Sequence, residues 1–439
     1  MIPVPATAGP SLVLASASGP GGSGLSSAVV AAGGSIGSNE DVQTAVRLIL
    51  DGHALERKTP RPVDDTLAAR LRGDLLRVAD IARRDYLKAA ARAGELPDKI
   101  LAILKKASIS VDRSGFNDPE VYAQMRGQVA AMVQTRQPVV MGLLFGGGKM
   151  ANPLKSGGVA LPDLAEWHAL TLLSALPRAV AELYPPGAHV IASPDAVLHS
   201  ADLGLLVHGA QRHWRQLQAD LKWLGIADVV QVPDVLQFLP DEWDGLVTAN
   251  AREAQQRRQR DPEFALDALA QSQSLQYSIN SQVLGLSYEE LTLGYGAIPG
   301  PLPGMPAAAD RLAVDLIKRA YAITPHYIGV NWAIRQAELI KRMAAGLFDA
   351  PLHLRLSVHA KPGNPRPALF KKNRVVPSLE LFPMHALGVW QDADGESKFG
   401  LAFDLSGRVR GWTPLEWHGR MIGYEARPEP ASLPQPPAA

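Results

Sequence analysis

The densest run of chemistry-bearing residues in the chain is Phe145 to Glu166, FGGGKMANPLKSGGVALPDLAE. Gly146, Gly147 and Gly148 follow an apolar stretch, and Lys149 and Lys155 flank Asn152. Gly-rich turns let backbone N–H groups converge on an anion, and nearby ammonium groups add charge. The chemistry this suits is the grip on a phosphate. It is not a Walker A loop, which needs GK[ST] at its end, nor the GxGxxG dinucleotide fingerprint. On spacing alone, a loop with two solvated lysines stays open as the plainer reading. Asp163 and Glu166 open the next helix, where carboxylates complement its positive end, and capping is the plain role for Glu166.

A second run is His353-Leu-Arg-Leu-Ser-Val-His-Ala-Lys361. Period-two alternation puts His353, Arg355, Ser357 and His359 on one strand face and Leu354, Leu356 and Val358 on the other. Such a face is either a pocket wall or a solvated edge. Lys361 follows just past the strand end, where ligands of α/β sheets sit. A third run, Pro383-Met384-His385, precedes the apolar stretch Ala386–Trp390. His353, His359 and His385 could meet around a metal, but no HxxE or HExxH spacing supports this and no metal is expected. His199, His208, His213 and His326 have no partner pattern and are read as background. No nucleophile elbow or kinase signature is present.

The elements that must position these runs alternate along the chain. Apolar spacing predicts helices at 39–50, 64–92, 97–107, 118–135, 163–183, 200–225 and 247–270, with a helical pair at 309–323 and 329–347. Short apolar runs at 138–145 and 189–192 read as buried strands, with further strands at 227–232 and 353–358. Runs near 378–381, 386–391, 398–404 and 407–412 make the C-terminal part β-rich, and Asp394-Gly395 suits a hairpin turn. This predicts an α/β fold: a Rossmann-like, largely parallel sheet flanked by helices, with a β-rich C-terminal extension of it. The expected organisation is a flexible leader at 1–38, a helical N-terminal region at 39–137, an α/β catalytic domain at 138–425 with a helical insert around 235–345, and a disordered Pro-rich tail at 426–439.

Composition narrows the function. The 44 Lys and Arg against 43 Asp and Glu leave a formal net charge of +1 over 439 residues, which gives no long-range pull toward nucleic acid or an anionic membrane. Any anion must be held by a local cluster. With no cysteine, disulfides, thiolate nucleophiles and Cys-based metal sites are excluded. No apolar run is long enough to span a bilayer and no basic segment precedes the short one at Leu12–Ala15, so a cytoplasmic location is expected.

The spaced residues Phe145, Lys149, Asn152, Lys155 and Pro162-Asp163-Leu-Ala-Glu166, followed by Tyr184-Pro-Pro-Gly-Ala188, resemble the pyoverdine/dityrosine biosynthesis family, whose bacterial members include isonitrile synthases. Arg355-Leu-Ser-Val-His359 and Pro383-Met-His385 match that family's later motifs in order and spacing. The family's S-D-G-x-V-F-x-D stretch is Ser193-Pro-Asp-Ala-Val-Leu-His-Ser-Ala-Asp202 here, and Met384 stands where tryptophan is common.

The resemblance implies that an amino acid's amine is joined to the keto carbon of ribulose 5-phosphate, which becomes the isocyano carbon. The sugar phosphate is a co-substrate and no redox cofactor is implied; a downstream oxygenase is the implied partner. Three demands follow: a phosphate grip, acid–base groups for imine chemistry, and a pocket for the amino acid. Gly147, Gly148, Lys149, Asn152, Lys155 and Lys361 are expected at the phosphate, and Arg355 at phosphate or carboxylate through its forked guanidinium. His359 and His385 are expected to transfer protons, with Asp163 or Asp195 orienting one of them. Two alternatives stay open: a different imine-forming sugar-phosphate lyase with a lysine Schiff base, and a non-catalytic ligand-binding relative.

Overall fold

The computed structural model describes residues 58–109, 116–146, 161–203, 207–268, 308–358, 364–370, 387–393, 396–401 and 411–426. The expected leader, the helix at 39–50, the run at 378–381 and residues 427–439 lie outside them. Two sheets organise these residues.

The chain enters with a short strand, β1 (Arg61–Pro62), and a 26-residue helix, α1 (Asp65–Ala90), capped by the Asp64 carboxylate, which accepts the Leu67 N–H. Leu67, Leu71, Leu75 and Ala79 recur every fourth residue, so one stripe of α1 is buried. Helices α2 (Leu96–Ala107) and α3 (Pro119–Gln134) both begin with proline in the first turn, where a missing N–H costs nothing. All three fall within two residues of the spans their periodicity predicts.

Next comes β2 (Val139–Leu144), then α4 (Leu164–Leu183) and β3 (Ala188–Ser193). The Tyr-Pro-Pro-Gly turn sets their register. The Tyr184 hydroxyl reaches back to the Gln137 carbonyl at 2.8 Å, and Val139 N–H donates to the Gly187 carbonyl at 3.0 Å. β2 and β3 then pair in parallel over six residues, from Val139↔Ala188 to Leu144↔Ser193. Two helices, α5 (Ser200–Leu203) and α6 (Val207–Leu224), lead to β4 (Val230–Gln231), which pairs parallel with β3.

A helical excursion follows: α7 (Trp243–Arg260), α8 (Ala308–Gln336) and α9 (Leu339–Phe348). The expected break near Pro325 is absent. The helix runs through it and stops instead at Gln336, two residues before Glu338, which takes a left-handed φ of 49°. An interior proline costs about 3 kcal/mol. Burial of Ile328, Val330, Ala333 and Ile334 just beyond it offsets that locally unfavourable choice.

The chain returns as β5 (Leu354–Arg355), parallel to β2 on the side away from β3. The first sheet is therefore four parallel strands in the order β4-β3-β2-β5. Met141, Leu143, Val190 and Leu354 pack on one face with α3 and α4, while Val140 and Ile191 face α8 and α9. Both faces are covered, as an all-parallel sheet requires. At Gly142, a Cβ would lie 2.2 Å from Ile340 Cγ2. Gly142→Ala is expected to push α9 off the sheet and cost about 1–3 kcal/mol in urea unfolding; an unchanged midpoint would show that α9 does not press on β2.

The six-residue strand expected at 353–358 is shortened to two. Leu356 N–H still donates to the Gly142 carbonyl, but Ser357 N–H turns to Pro365, and Ser357 and Val358 are both buried. Strict alternation ends there.

The late strands do not extend the parallel sheet. They form a second one, β6 (Gly388–Ala393), β7 (Glu396–Leu401), β8 (Trp412–Trp417) and β9 (Arg420–Ala426), in the order β1-β8-β9-β6-β7. Ala393 pairs with Glu396 across the expected Asp394-Gly395 connection. Residues 407–410 of the run expected at 407–412 lie outside the described residues; β8 begins at Trp412, and β9 is additional. They meet through His418 and Gly419, both at positive φ, a turn without the Asn-Gly or Asp-Gly signature. Asp74 ties α1 to this sheet by accepting from Trp390 Nε1 at 3.1 Å and from the Ser397 hydroxyl.

Candidate functional site

The switch from β2→β3→β4 on one side to β5 on the other places a topological switch point between β2 and β5. In open α/β sheets the crevice outside the carboxyl ends at such a point is the usual ligand site. β2 leaves the sheet there through Phe145, whose N–H donates to the Ser193 carbonyl at 2.8 Å. Gly146 follows with φ 84°, a conformation that suits a residue without a side chain.

Its backbone is clamped. Gly146 N–H donates to Asp195 Oδ1 at 2.7 Å, and its carbonyl accepts from Ala196 N–H at 3.1 Å. Asp195 belongs to a 3-10 turn, Asp195–Val197, directly after β3. Gly146, the first of the three glycines, is thus fixed to the end of the neighbouring strand. Gly147, Gly148, Lys149, Asn152 and Lys155 lie outside the described residues, as do His359, Lys361 and His385.

Arg355 stands opposite Gly142 in register, hence on the α9 side of the sheet. Burial, and then the like charge of Arg335 near the end of α8, lower its pKa from the usual guanidinium range. No carboxylate among the described residues forms an ion pair with it. A half-buried cation with a second cation nearby is costly until an anion arrives. His353, on the same side, is also lowered, by burial first and then by Arg355, so its imidazole is held neutral.

Asp163 is 1% exposed and caps α4. It accepts from Ala165 N–H at 2.7 Å, while Glu166 accepts from the Asp163 N–H at 3.0 Å, closing a capping box. It also accepts from Gly388 N–H at 3.2 Å, which pins β6 of the second sheet to the start of α4.

One group escaped the sequence reading. His326 Nδ1 lies 2.7 Å from Asp202 Oδ1, and His199 Nδ1 lies 3.5 Å from Asp202 Oδ2. His199 stacks on Tyr327 with ring centroids 4.6 Å apart. Burial alone would push Asp202 up, but the two imidazoles outweigh it and hold the carboxyl below its usual value. Asp202, in turn, raises His326. Asp202 and His326 are 124 residues apart, so no local pattern announces the pair.

A cleft of about 420 Å³ also opens between α6 and the β8–β9 turn. Its buried charges, Asp220 and Arg420, are already matched at 2.7 Å. Among the described residues it offers a ligand no unmatched charge, whereas Arg355 at the sheet edge has no carboxylate paired with it. Among the described residues, no group of three or more His, Asp or Glu side chains could hold a metal ion. No described helix is long and apolar enough to cross a membrane.

No family model matches the chain, and no curated protein does. Among solved structures, PvcA from Pseudomonas aeruginosa is similar with a TM-score of 0.54 at 16% identity, over 76% of this chain and 100% of that one. The fold is shared with PvcA. Because 76% of this chain is covered, the likeness is not confined to the segment from β2 to β5, which is about half of it.

Proposed function

We propose that the chain is an isonitrile synthase, converting an amino acid's amine to an isocyano group with ribulose 5-phosphate as carbon donor. The observation that carries this is the adjacency of β2 and β5. The strands leading to the two motif-bearing runs are neighbours and parallel, so both runs leave the same edge of the sheet. The motif resemblance names the chemistry, and the fold held in common with PvcA agrees with it.

In this reading Lys149 and Lys155, with the backbone of Gly147 and Gly148 and with Asn152 and Lys361, hold the sugar phosphate. Arg355 takes the phosphate or the amino-acid carboxylate. His359 and His385 move protons during imine formation, and Asp195 or Asp163 orients one of them. The reaction needs no redox cofactor and no metal. The expected partner is an oxygenase acting on the product, and the expected location is the cytoplasm.

The test is incubation of the purified chain with ribulose 5-phosphate labelled at its keto carbon and each of the twenty amino acids. Label in an isonitrile product is the expected result. Its absence with every amino acid, beside an active family member, would end the reading. Borohydride trapping of a sugar adduct on Lys149 or Lys155 would move the chain to the Schiff-base lyases. Lys155→Ala is expected to weaken ribulose 5-phosphate binding about tenfold by calorimetry; unchanged affinity would remove Lys155 from the phosphate.

A further inference from the structure

Two imidazoles bracket one buried carboxylate at the carboxyl end of β3. Asp202 has a side chain 3% exposed, and His326 holds one of its oxygens at 2.7 Å while remaining 46% exposed. His199 is 5% exposed and 3.5 Å from the other oxygen. Neither His199 Nδ1 nor Asp202 Oδ2 has a hydrogen-bond partner in that geometry. Seven residues earlier in the chain, Asp195 holds Gly146 N–H. The cluster therefore adjoins the point where the Gly-rich run begins.

A purely structural ion pair gains nothing from this arrangement. Buried pairs are often replaceable by apolar residues at no loss of stability. What is particular here is that, among the described residues, His326 is bound through Nδ1 alone, with the ring half open to solvent. A carboxylate on one ring nitrogen fixes the tautomer and leaves the other nitrogen to exchange protons.

We propose that His326, oriented by Asp202, is a proton-transfer residue of the site at this sheet edge, with His199 as a positioning residue on the same carboxylate. The assignment rests on the ketose-plus-amine reading given above. When the amine adds to the keto carbon, a C–N bond forms and the carbonyl oxygen takes up the electron pair. Two protons must then pass from nitrogen to that oxygen, the first making it a hydroxyl and the second letting it depart as water as the C=N bond forms. His326 Nε2 carries each in turn from nitrogen to the oxygen, so the residue ends as it began. Asp202 stabilises the imidazolium that forms in between. Among the described residues, the titratable groups gathered at this point are Asp195, His199 and Asp202 on the β3 side and Tyr327 beside His326 on α8. Tyr327 is raised by burial and by the two carboxylates and stays neutral.

Two measurements test this. The first needs no turnover: histidine ring signals are titrated by NMR in the wild type and in Asp202→Asn. His326 is expected to titrate above an ordinary histidine in the wild type and to fall in the variant; identical titration in both would overturn the pairing. The second compares His326→Gln with the wild type, a substitution that a half-exposed side chain tolerates without loss of fold. Turnover is expected to fall about 10²–10³-fold, with the KM for ribulose 5-phosphate within about threefold. Asp202→Asn should move the acid limb of the pH–rate profile downward. Turnover of His326→Gln within threefold of an active wild type would overturn this assignment alone, whereas an inactive wild type would sink the isonitrile reading instead.

Discussion

Asp220→Ala is expected to destabilise the protein by about 3–5 kcal/mol, because it leaves a buried guanidinium without its counter-charge. Asp220 is 2% exposed on α6 and accepts from three groups: Arg420 Nη2 at 2.7 Å, Trp167 Nε1 at 2.7 Å and Gln216 Nε2 at 2.9 Å. Arg420 opens β9, its guanidinium 5.4 Å from the Trp167 ring centre, and its other nitrogen donates to the Pro162 carbonyl at 3.1 Å. One carboxylate therefore joins α4, α6 and the second sheet. Asp220→Asn should cost less, since it can still accept from some of these donors. Replacing the pair together, Asp220→Leu with Arg420→Met, should recover most of the loss. Urea midpoints of the four proteins decide it; a loss under 1 kcal/mol in Asp220→Ala would mean that Arg420 finds water. Pro162 lies seven residues after Lys155 in the chain, and Arg420 holds it through its carbonyl.

Arg355→Met is expected to act in opposite directions on binding and on folding. Ribulose 5-phosphate affinity should fall by about 2–5 kcal/mol, roughly 30- to 4,000-fold, as for any buried charge pair that loses one partner. The unliganded fold should instead hold or gain up to about 1 kcal/mol. The substitution removes a half-buried cation that has Arg335 for a neighbour, and residual solvent screening keeps the gain small. Calorimetry and urea unfolding on the same two proteins separate the effects. A destabilised variant with unchanged affinity would make Arg355 a packing residue and take it out of the anion site.

Much of the scaffold was legible because its signals are local. α1 to α4 and the buried strands β2 and β3 follow from apolar spacing and from capping residues such as Asp64 and Asp163. The Tyr-Pro-Pro-Gly turn was visible as a motif, and its register-setting hydrogen bonds explain why it precedes a strand. Local preference misleads where burial opposes it. The gap expected between 323 and 329 is bridged by one helix, which packing against α7 sustains through Pro325. The 353–358 run promised a long strand that ends when Ser357 turns to Pro365. The His418-Gly419 turn lacks the usual signature, so β9 passed unseen.

The chain's own order of residues determined its alternation of helices and strands, its cysteine-free and charge-balanced character, and the motif spacing at 145–166 and 353–361. Local rules suffice for these, because each is written within a few turns or pleats. Only the tertiary structure decided that β5 returns to lie beside β2, that the late strands form a sheet of their own, and that His199 and His326 meet on Asp202. Such pairings depend on which distant segments can bury their faces together, and that free energy is a property of the packed core rather than of any stretch within it.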